Sequence, residues 1–255
     1  MNSNNRREYI LNKLEKDHSV KIQELSKEMK VTRETVRRDL YQMESEGLIK
    51  KIHGGAILEV PNQETDYEKR KSECAEEKAA IAKVAASYIE EGDSVYLDYG
   101  TTTLALAKEI AKMKNITVVT NTIPIVNVLI ANEEINLIIP GGIVRYNETS
   151  LSGPFALNNI KDINVTLGYF GCSGIDMKVG VTSHNIDENL VSKEMIHHSQ
   201  TTIVLADDTK FGNVAFNKTA DLADIDIIIT DQKRELDESQ FIAECGINLI
   251  VADKD

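Results

Sequence analysis

The sequence predicts an α/β protein in two parts: a small N-terminal head of short helices closed by a hairpin, then a larger body with a mostly parallel sheet. Three observations carry this. From Ser94 onward, short apolar runs alternate with helix-period segments, the pattern of a sheet covered on both faces. Before that, short amphipathic stretches crowd together and end in two apolar runs around Gly54-Gly55. The charge also divides. Residues 1–55 hold 12 Lys+Arg against 9 Asp+Glu and the rest 17 against 32, within a net charge of −12. A mildly basic head on an acidic body suits a protein whose contact with nucleic acid is confined to the head.

In the head, Ile10, Leu11 and Leu14 line one side of a predicted helix over residues 6–17, and His18-Ser19 breaks the pattern. Ile22, Leu25 and Met29 place a second helix over 21–29. Lys30-Val31-Thr32 is a short turn, and Thr32 is a good N-cap for a third helix. Val36, Leu40 and Met43 give that helix an apolar face, while Arg33 and Arg37 share another, with Arg38 beside it. Hydroxyl and guanidinium groups at the N-terminal end of such a helix suit the DNA major groove. Arg pairs bidentately with guanine, Thr touches bases or a thymine methyl, and further Arg residues hold phosphates. Two helices joined by this turn make a helix-turn-helix. Gly47 can end the third helix, and Leu48 to Ile57 then predicts a hairpin, or wing, offering Lys50, Lys51 and His53 to phosphates. The head spans 1–57 and is followed by a polar linker over 58–75, rich in charge between Glu68 and Glu73.

The body, 76–255, opens with a helix marked by Ile81, Val84, Ala85 and Tyr88. Strands are predicted at 94–97, 116–120, 135–139, 201–206, 225–230 and 248–251. Helices are predicted at 101–113, 124–130, 187–199 and 238–245. In open α/β sheets, ligands bind beyond the carboxyl ends of the strands. There the sequence places Asp98-Tyr99-Gly100-Thr101-Thr102-Thr103, then Thr120-Asn121-Thr122, Pro140-Gly141-Gly142, Gly171-Cys172-Ser173-Gly174 and Asp207-Asp208-Thr209-Lys210. Gly100 permits a tight turn, and the amides and hydroxyls after it form a helix N-terminus that favours a phosphate. Neither a P-loop nor a GxGxxG fingerprint is present.

The stretch TRETVRRDL followed by EGLIKKIHGGA resembles the winged helix-turn-helix signature of the DeoR family of bacterial transcription regulators. DYGTTT, TNT, PGG, GCSGID and DDTKFG then follow in the order of that family's effector domain, so the resemblance covers nearly the whole chain. It implies a Rossmann-like body related in fold to sugar-phosphate isomerases and sensing phosphorylated sugars. It implies that Thr32, Arg33 and Thr35 meet bases, and that Arg37, Arg38 and Lys51 meet the DNA backbone. It implies that Gly100, Thr101 and Thr102 hold a phosphate, with Asp98, Asn121, Gly141, Gly142 and Lys210 lining the sugar site. Thr32, Val36 and Lys51 stand where Ser, Ile and Arg are frequent in the family, and Tyr99 and Asp208 where smaller residues are.

The expected function is therefore a DNA-binding repressor of a carbohydrate operon. Its expected partners are double-stranded operator DNA, a phosphorylated sugar or related metabolite as effector, and further copies of itself. A dimer or tetramer is expected because one small head makes few base contacts. No cofactor is expected. The polar start, the lack of eighteen consecutive apolar residues, and three scattered cysteines (Cys74, Cys172, Cys245) predict a cytoplasmic chain with no leader, membrane span or disulfide. No His, Asp and Glu cluster has metal-ligand spacing. His197-His198 is expected to close a helix, where positive charge is favoured; His184 follows a possible strand, Gly180–Ser183, beside the ligand edge. The alternative is an isomerase-like enzyme with an appended head, in which Asp98 and Lys210 move protons.

Overall fold

A computed structural model of the chain describes residues 3–17, 19–45, 48–52, 54–58, 67–232, 239 and 242–252. His18, Gly47, His53, most of the expected linker and part of the expected 238–245 helix lie outside these residues. The chain divides into two compact units, Met1–Gln63 and Glu64–Asp255.

The first unit contains α1 (Ser3–Asp17), β1 (Ser19–Lys21), α2 (Ile22–Glu28), α3 (Arg33–Ser45), β2 (Ile49–Ile52) and β3 (Gly55–Leu58). The expected helices and wing are present. Strand β1 was not expected: the break after α1 leads into an extended segment that adds to the hairpin, giving an antiparallel sheet in the order β1-β3-β2. Ile10, Leu14, Val20, Leu25, Val36, Leu40, Met43 and Ile49 form one small core, and all but Val20 are completely buried. The turn before α3 is held by Val31 N–H to Ser26 O at 3.1 Å and Ser26 Oγ to Val31 O at 2.7 Å.

The second unit begins inside the stretch expected to be linker. Here α4 (Tyr67–Ser72) packs by its buried Tyr67 into the same cluster as Leu104. Then come α5 (Ala75–Ala86), β4 (Ser94–Leu97), α6 (Thr101–Ile110), β5 (Ile116–Thr120), α7 (Ile123–Leu129), β6 (Ile135–Ile138), β7 (Ile143–Arg145) and β8 (Ser150–Ser152). They are followed by α8 (Gly153–Ile160), β9 (Val165–Phe170), β10 (Gly174–Asp176), β11 (Gly180–Ser183), α9 (Ile186–His197), β12 (Ser199–Leu205), β13 (Asn217–Ala220), β14 (Ile227–Thr230) and β15 (Asn248–Val251).

Seven strands pair in parallel in the order β15-β14-β12-β9-β4-β5-β6. Side chains alternate across this sheet. Val95, Leu97, Val118, Ile203 and Ile229 join α5, α6 and α7 in one core, whereas Tyr96, Val119, Val204 and Ile228 join α8 and α9 in the other. This is a doubly wound sheet, and its chain order reverses between β4 and β9, where a ligand crevice is expected. Two further small sheets, β7-β8 and β10-β11-β13, are antiparallel.

Candidate nucleic-acid interface and effector pocket

The recognition helix of the first unit is α3. Thr32 caps it, accepting from the Thr35 N–H at 3.1 Å, and the two threonine hydroxyls are 2.9 Å apart. Val36, Leu40 and Met43 turn into the core, and Asp39 is buried with them. Arg33, Arg37 and Arg38 are all exposed. Arg37 Nη1 lies 3.2 Å from Glu34 Oε2 across one turn. On the wing, Lys51 faces back toward α3. Its Nζ is 2.8 Å from Glu44 Oε2 and 4.0 Å from the centre of the Tyr41 ring, and its N–H donates to Glu44 Oε1 at 2.8 Å. The ammonium holds the Glu44 carboxyl below the usual carboxylate range. Lys51 thus fastens the wing to the helix, and a DNA phosphate would have to compete with Glu44 for it. Thr32, Glu34, Arg37, Arg38, Tyr41 and Lys51 line one groove of this unit. His53 lies outside the described residues.

In the second unit, the expected pocket residues follow the carboxyl ends of five adjacent strands, β12, β9, β4, β5 and β6, and so share one edge of the sheet. At the crossover, Asp98 closes β4 by donating its N–H to Tyr169 O on β9 at 3.0 Å. Its carboxylate is 1% exposed and accepts from Tyr96 OH at 3.1 Å and Ser192 Oγ at 2.8 Å. Burial pushes its pKa up to about 8 against these hydrogen bonds and one from the Tyr99 N–H, and the charge of Glu188 adds to the rise. Gly100 caps α6 at φ 130° and ψ 170°, a backbone region open to glycine. The first-turn amides of Thr101, Thr102 and Thr103 have no carbonyl within the helix to bond and point out of its N-terminus. Thr103 Oγ1 bonds back to Gly100 O at 3.0 Å, which leaves half-exposed Thr101 at the mouth.

Asn121, at the end of β5, is fully buried. Its Nδ2 donates to Leu151 O at 3.3 Å, while its Oδ1 has no hydrogen-bond partner among the described residues. After β6, Gly142 at φ 134° lies so close to β8 that a Cβ would sit 2.7 Å from Ser152 O. Lys210, after β12, has its Nζ 3.9 Å from Asp207 Oδ2. Its charge also reaches Cys172 after β9, whose thiol burial pushes well up.

Tyr99 apart, several residues around this edge gave no sequence signal. Tyr99 OH bonds Ser183 at the end of β11. Glu188, wholly buried on α9, meets Ser150 and also Arg145 Nη1, the latter at 2.6 Å. Glu148, in the β7–β8 loop, pairs with Arg70 of α4. They come from separate elements, and docking of those elements is what brings them together. His184 follows β11, one residue past Ser183. At the end of α9, His198 contacts Glu194 at 3.4 Å and Asn164 at 3.2 Å, the structural role expected for the His197-His198 pair. Among the described residues, no group of three His, Cys, Asp or Glu is placed to hold a metal, and no helix is long and apolar enough to cross a membrane.

Comparison with known proteins places both units. Residues 6–61 match the DeoR-like helix-turn-helix domain, and residues 73–232 match the DeoR C-terminal sensor domain. Among relatives, the transcriptional regulator FruR of Bacillus subtilis is 36% identical over 89% of this chain and 90% of its own length. The transcriptional repressor GlcR of the same species is 32% identical over 96% of this chain and 95% of its own. The glycerol-3-phosphate regulon repressor of Escherichia coli is 28% identical over 98% of this chain and 99% of its own. A D-ribose-5-phosphate isomerase structure aligns with 58% of this chain and 55% of its own at a TM-score of 0.39 and 16% identity, a likeness too distant to bear on activity. A recognition helix with its wing, a doubly wound sensor sheet, and relatives matched over nearly their full length lead to one conclusion: the chain belongs to the DeoR family of transcriptional regulators.

Proposed function

We propose that this regulator represses a carbohydrate-metabolism operon and that a phosphorylated sugar or related metabolite, bound at the β4/β9 crossover, controls its hold on operator DNA. The observation that carries the ligand class is the pairing of two features at one sheet edge. The α6 N-terminus behind Gly100 suits a phosphate, and the buried, unpartnered Oδ1 of Asn121 calls for a hydroxyl donor. On this reading Gly141, Gly142, Lys210 and Asp98, which follow neighbouring strand ends, line the sugar site. Two relatives support the reading: one is a repressor of a glycerol-3-phosphate regulon, the other a helix-turn-helix transcriptional repressor. A family of DNA-binding regulators makes the body a sensor, which leaves the isomerase alternative without an observation in its favour. Two or more copies acting together follow from the small area one head offers DNA.

A mobility shift tests this, using DNA from upstream of the protein's own gene and its neighbours, with and without a panel of sugar phosphates. Specific binding that one compound abolishes or strengthens is the expected result. Specific binding indifferent to every compound would discard the ligand class and keep the regulator.

A ligand changes DNA affinity only by binding two arrangements of the protein unequally. The route we propose runs through α4, the first described element after residues 59–66. Arg70 of α4 grips Glu148, and the β7–β8 hairpin carrying Glu148 also reaches the pocket, through Ser150 and Arg145 to Glu188 and through Leu151 to Asn121. Arg70→Ala should therefore keep ligand affinity while the ligand-dependent change in DNA affinity shrinks toward none. Titrations of DNA with and without saturating ligand measure both quantities, and an undiminished ratio in the variant would remove α4 from the route. Deleting a few residues between 59 and 66 is expected to uncouple the units in the same way.

A further inference from the structure

We propose that Glu34 and Arg38 are the paired base readers of α3, taking a cytosine and a neighbouring guanine, while Arg33 and Arg37 hold phosphates at its flank. This rests on the DNA-binding reading and reassigns the roles that family resemblance implies for the arginines.

The helix's own geometry sets the assignment. Val36, Asp39, Leu40 and Met43 are buried and define the inward direction of α3. At 3.6 residues per turn, the residues diametrically opposite are Glu34, Arg38, Tyr41 and Ser45, at spacings of four, three and four. All four are exposed: the Glu34 side chain is 80% accessible and Tyr41 68%. Arg33 and Arg37 lie round to one side, on the flank that Glu44 shares. When the core-opposed face enters a major groove, the central line meets base edges and the flank meets the groove walls, where the phosphates are. The threonine hydroxyls are already committed to capping, Thr32 Oγ1 to both the Thr35 N–H and the Thr35 hydroxyl.

Glu34 is then an acid aimed at a polyanion. A carboxylate in the groove finds an amino donor in cytosine N4. Adenine N6 also donates, but the N7 acceptor beside it repels the charge. Arg38, one helical turn further along the same line, stands within one or two base-pair steps, where the O6 and N7 of a guanine accept a guanidinium bidentately. Before docking, Glu34 is paired with Arg37 at 3.2 Å, both side chains being more than half exposed. An exposed pair of this kind is easily exchanged. Arg37 moves to a phosphate and leaves Glu34 open for the base.

The test uses the full-length protein and the operator that it protects, with every base pair substituted singly. Dissociation constants are measured by fluorescence anisotropy at several salt concentrations. Wild type should lose about ten-fold at one C·G pair and at a nearby G·C pair, within the five- to 150-fold range of such contacts. Glu34→Ala should flatten the penalty at the first pair and leave all others intact. Glu34→Gln, which keeps one acceptor oxygen, should retain part of it. Arg38→Ala should flatten the second pair, whereas Arg37→Ala should weaken every sequence alike and reduce the salt slope by about one. If Glu34→Ala tightens binding to all sequences equally, with every preference kept, Glu34 is only a charge near DNA and the proposal is wrong. It is equally wrong if Arg38→Ala behaves like Arg37→Ala. A wild-type protein with no preferred sequence would overturn the DNA-binding reading itself, and this inference with it.

Discussion

Asp98→Asn should raise the melting temperature of the full-length protein at pH 8, and the gain should vanish near pH 4. The carboxyl group sits at the end of β4 with 1% exposure, and burial lifts its pKa from 3.8 to about 8. Below pH 4 it is protonated in both the folded and the unfolded chain and contributes no pH dependence. Between pH 4 and 8 the folded chain keeps a proton that the unfolded chain has released. Stability therefore falls steadily as pH rises through this window, and the loss is complete above the folded pKa. A rise of this size corresponds to a few kcal/mol as an order of magnitude. Asparagine has nearly the same shape and no charge to bury. The hydroxyls of Tyr96 and Ser192 can turn to accept from its amide, because each is both donor and acceptor. Melting curves of both proteins from pH 5 to 8 should diverge with rising pH. Curves that stay parallel would show that the carboxyl is ionised throughout. The same proton bears on the proposed ligand: a neutral Asp98 repels an anion less than an ionised one, so affinity for a phosphorylated sugar bound beside it should fall as pH rises through 8.

What the sequence disclosed and what it hid have physical causes. The head was legible because its core is one face of each helix: Ile10 and Leu14, Leu25 and Met29, Val36, Leu40 and Met43 repeat at helical spacing. Strand β1 escaped because three residues with one buried side chain leave no period to read. The larger omission was β9, which lies beside the crossover. Its sequence, VTLGYF, mixes polar and small residues with apolar ones, and each has a contact to make. Thr166 Oγ1 bonds Ser94 O at 2.7 Å and Asp93 Oδ1 at 3.1 Å, and a Cβ on Gly168 would come within 2.1 Å of Ser199 Oγ. A strand buried among parallel neighbours does not need to alternate, so periodicity passed over it. That Asp98, Gly100, Asn121, Gly142 and Lys210 share one edge of the sheet was readable because they follow strand ends, and topology sends those to one side. Arg70, Arg145, Glu148, Glu188 and Ser192 were not, since a polar or charged residue looks the same in sequence whether it faces water or a buried partner. Helix α4 was hidden in this way, its charge run masking the buried Tyr67 and the Arg70 ion pair.

The same ambiguity surrounds Asp39, inside the most distinctive stretch of the head, and Asp39→Ala should lower the melting temperature of the head by many degrees and weaken operator binding as that unit melts, without Asp39 itself touching DNA. Its carboxylate is 4% exposed and reaches α1. Arg6 grips it with two hydrogen bonds, Nε to Oδ2 at 2.6 Å and Nη2 to Oδ1 at 2.9 Å, and Ser3 Oγ adds a contact at 3.4 Å. This fork ties the start of α1 to the middle of the recognition helix. Removing the carboxylate takes this ion pair from a guanidinium whose side chain is 13% exposed, and the residual water contact keeps the cost low, on the order of 2 kcal/mol. For a head of about sixty residues, with roughly 3–9 kcal/mol of stability in all, that is a large share. The head should melt well below the body, separating two transitions in a thermal scan, and operator affinity should fall as the folded fraction of the head falls. Arg6→Ala should reproduce most of the effect, and the double variant should cost less than the sum of the two, because both single changes remove the same ion pair. A single Asp39→Ala variant whose head melts like wild type would show that the apolar stripe of Val36, Leu40 and Met43 holds α3 in place by itself.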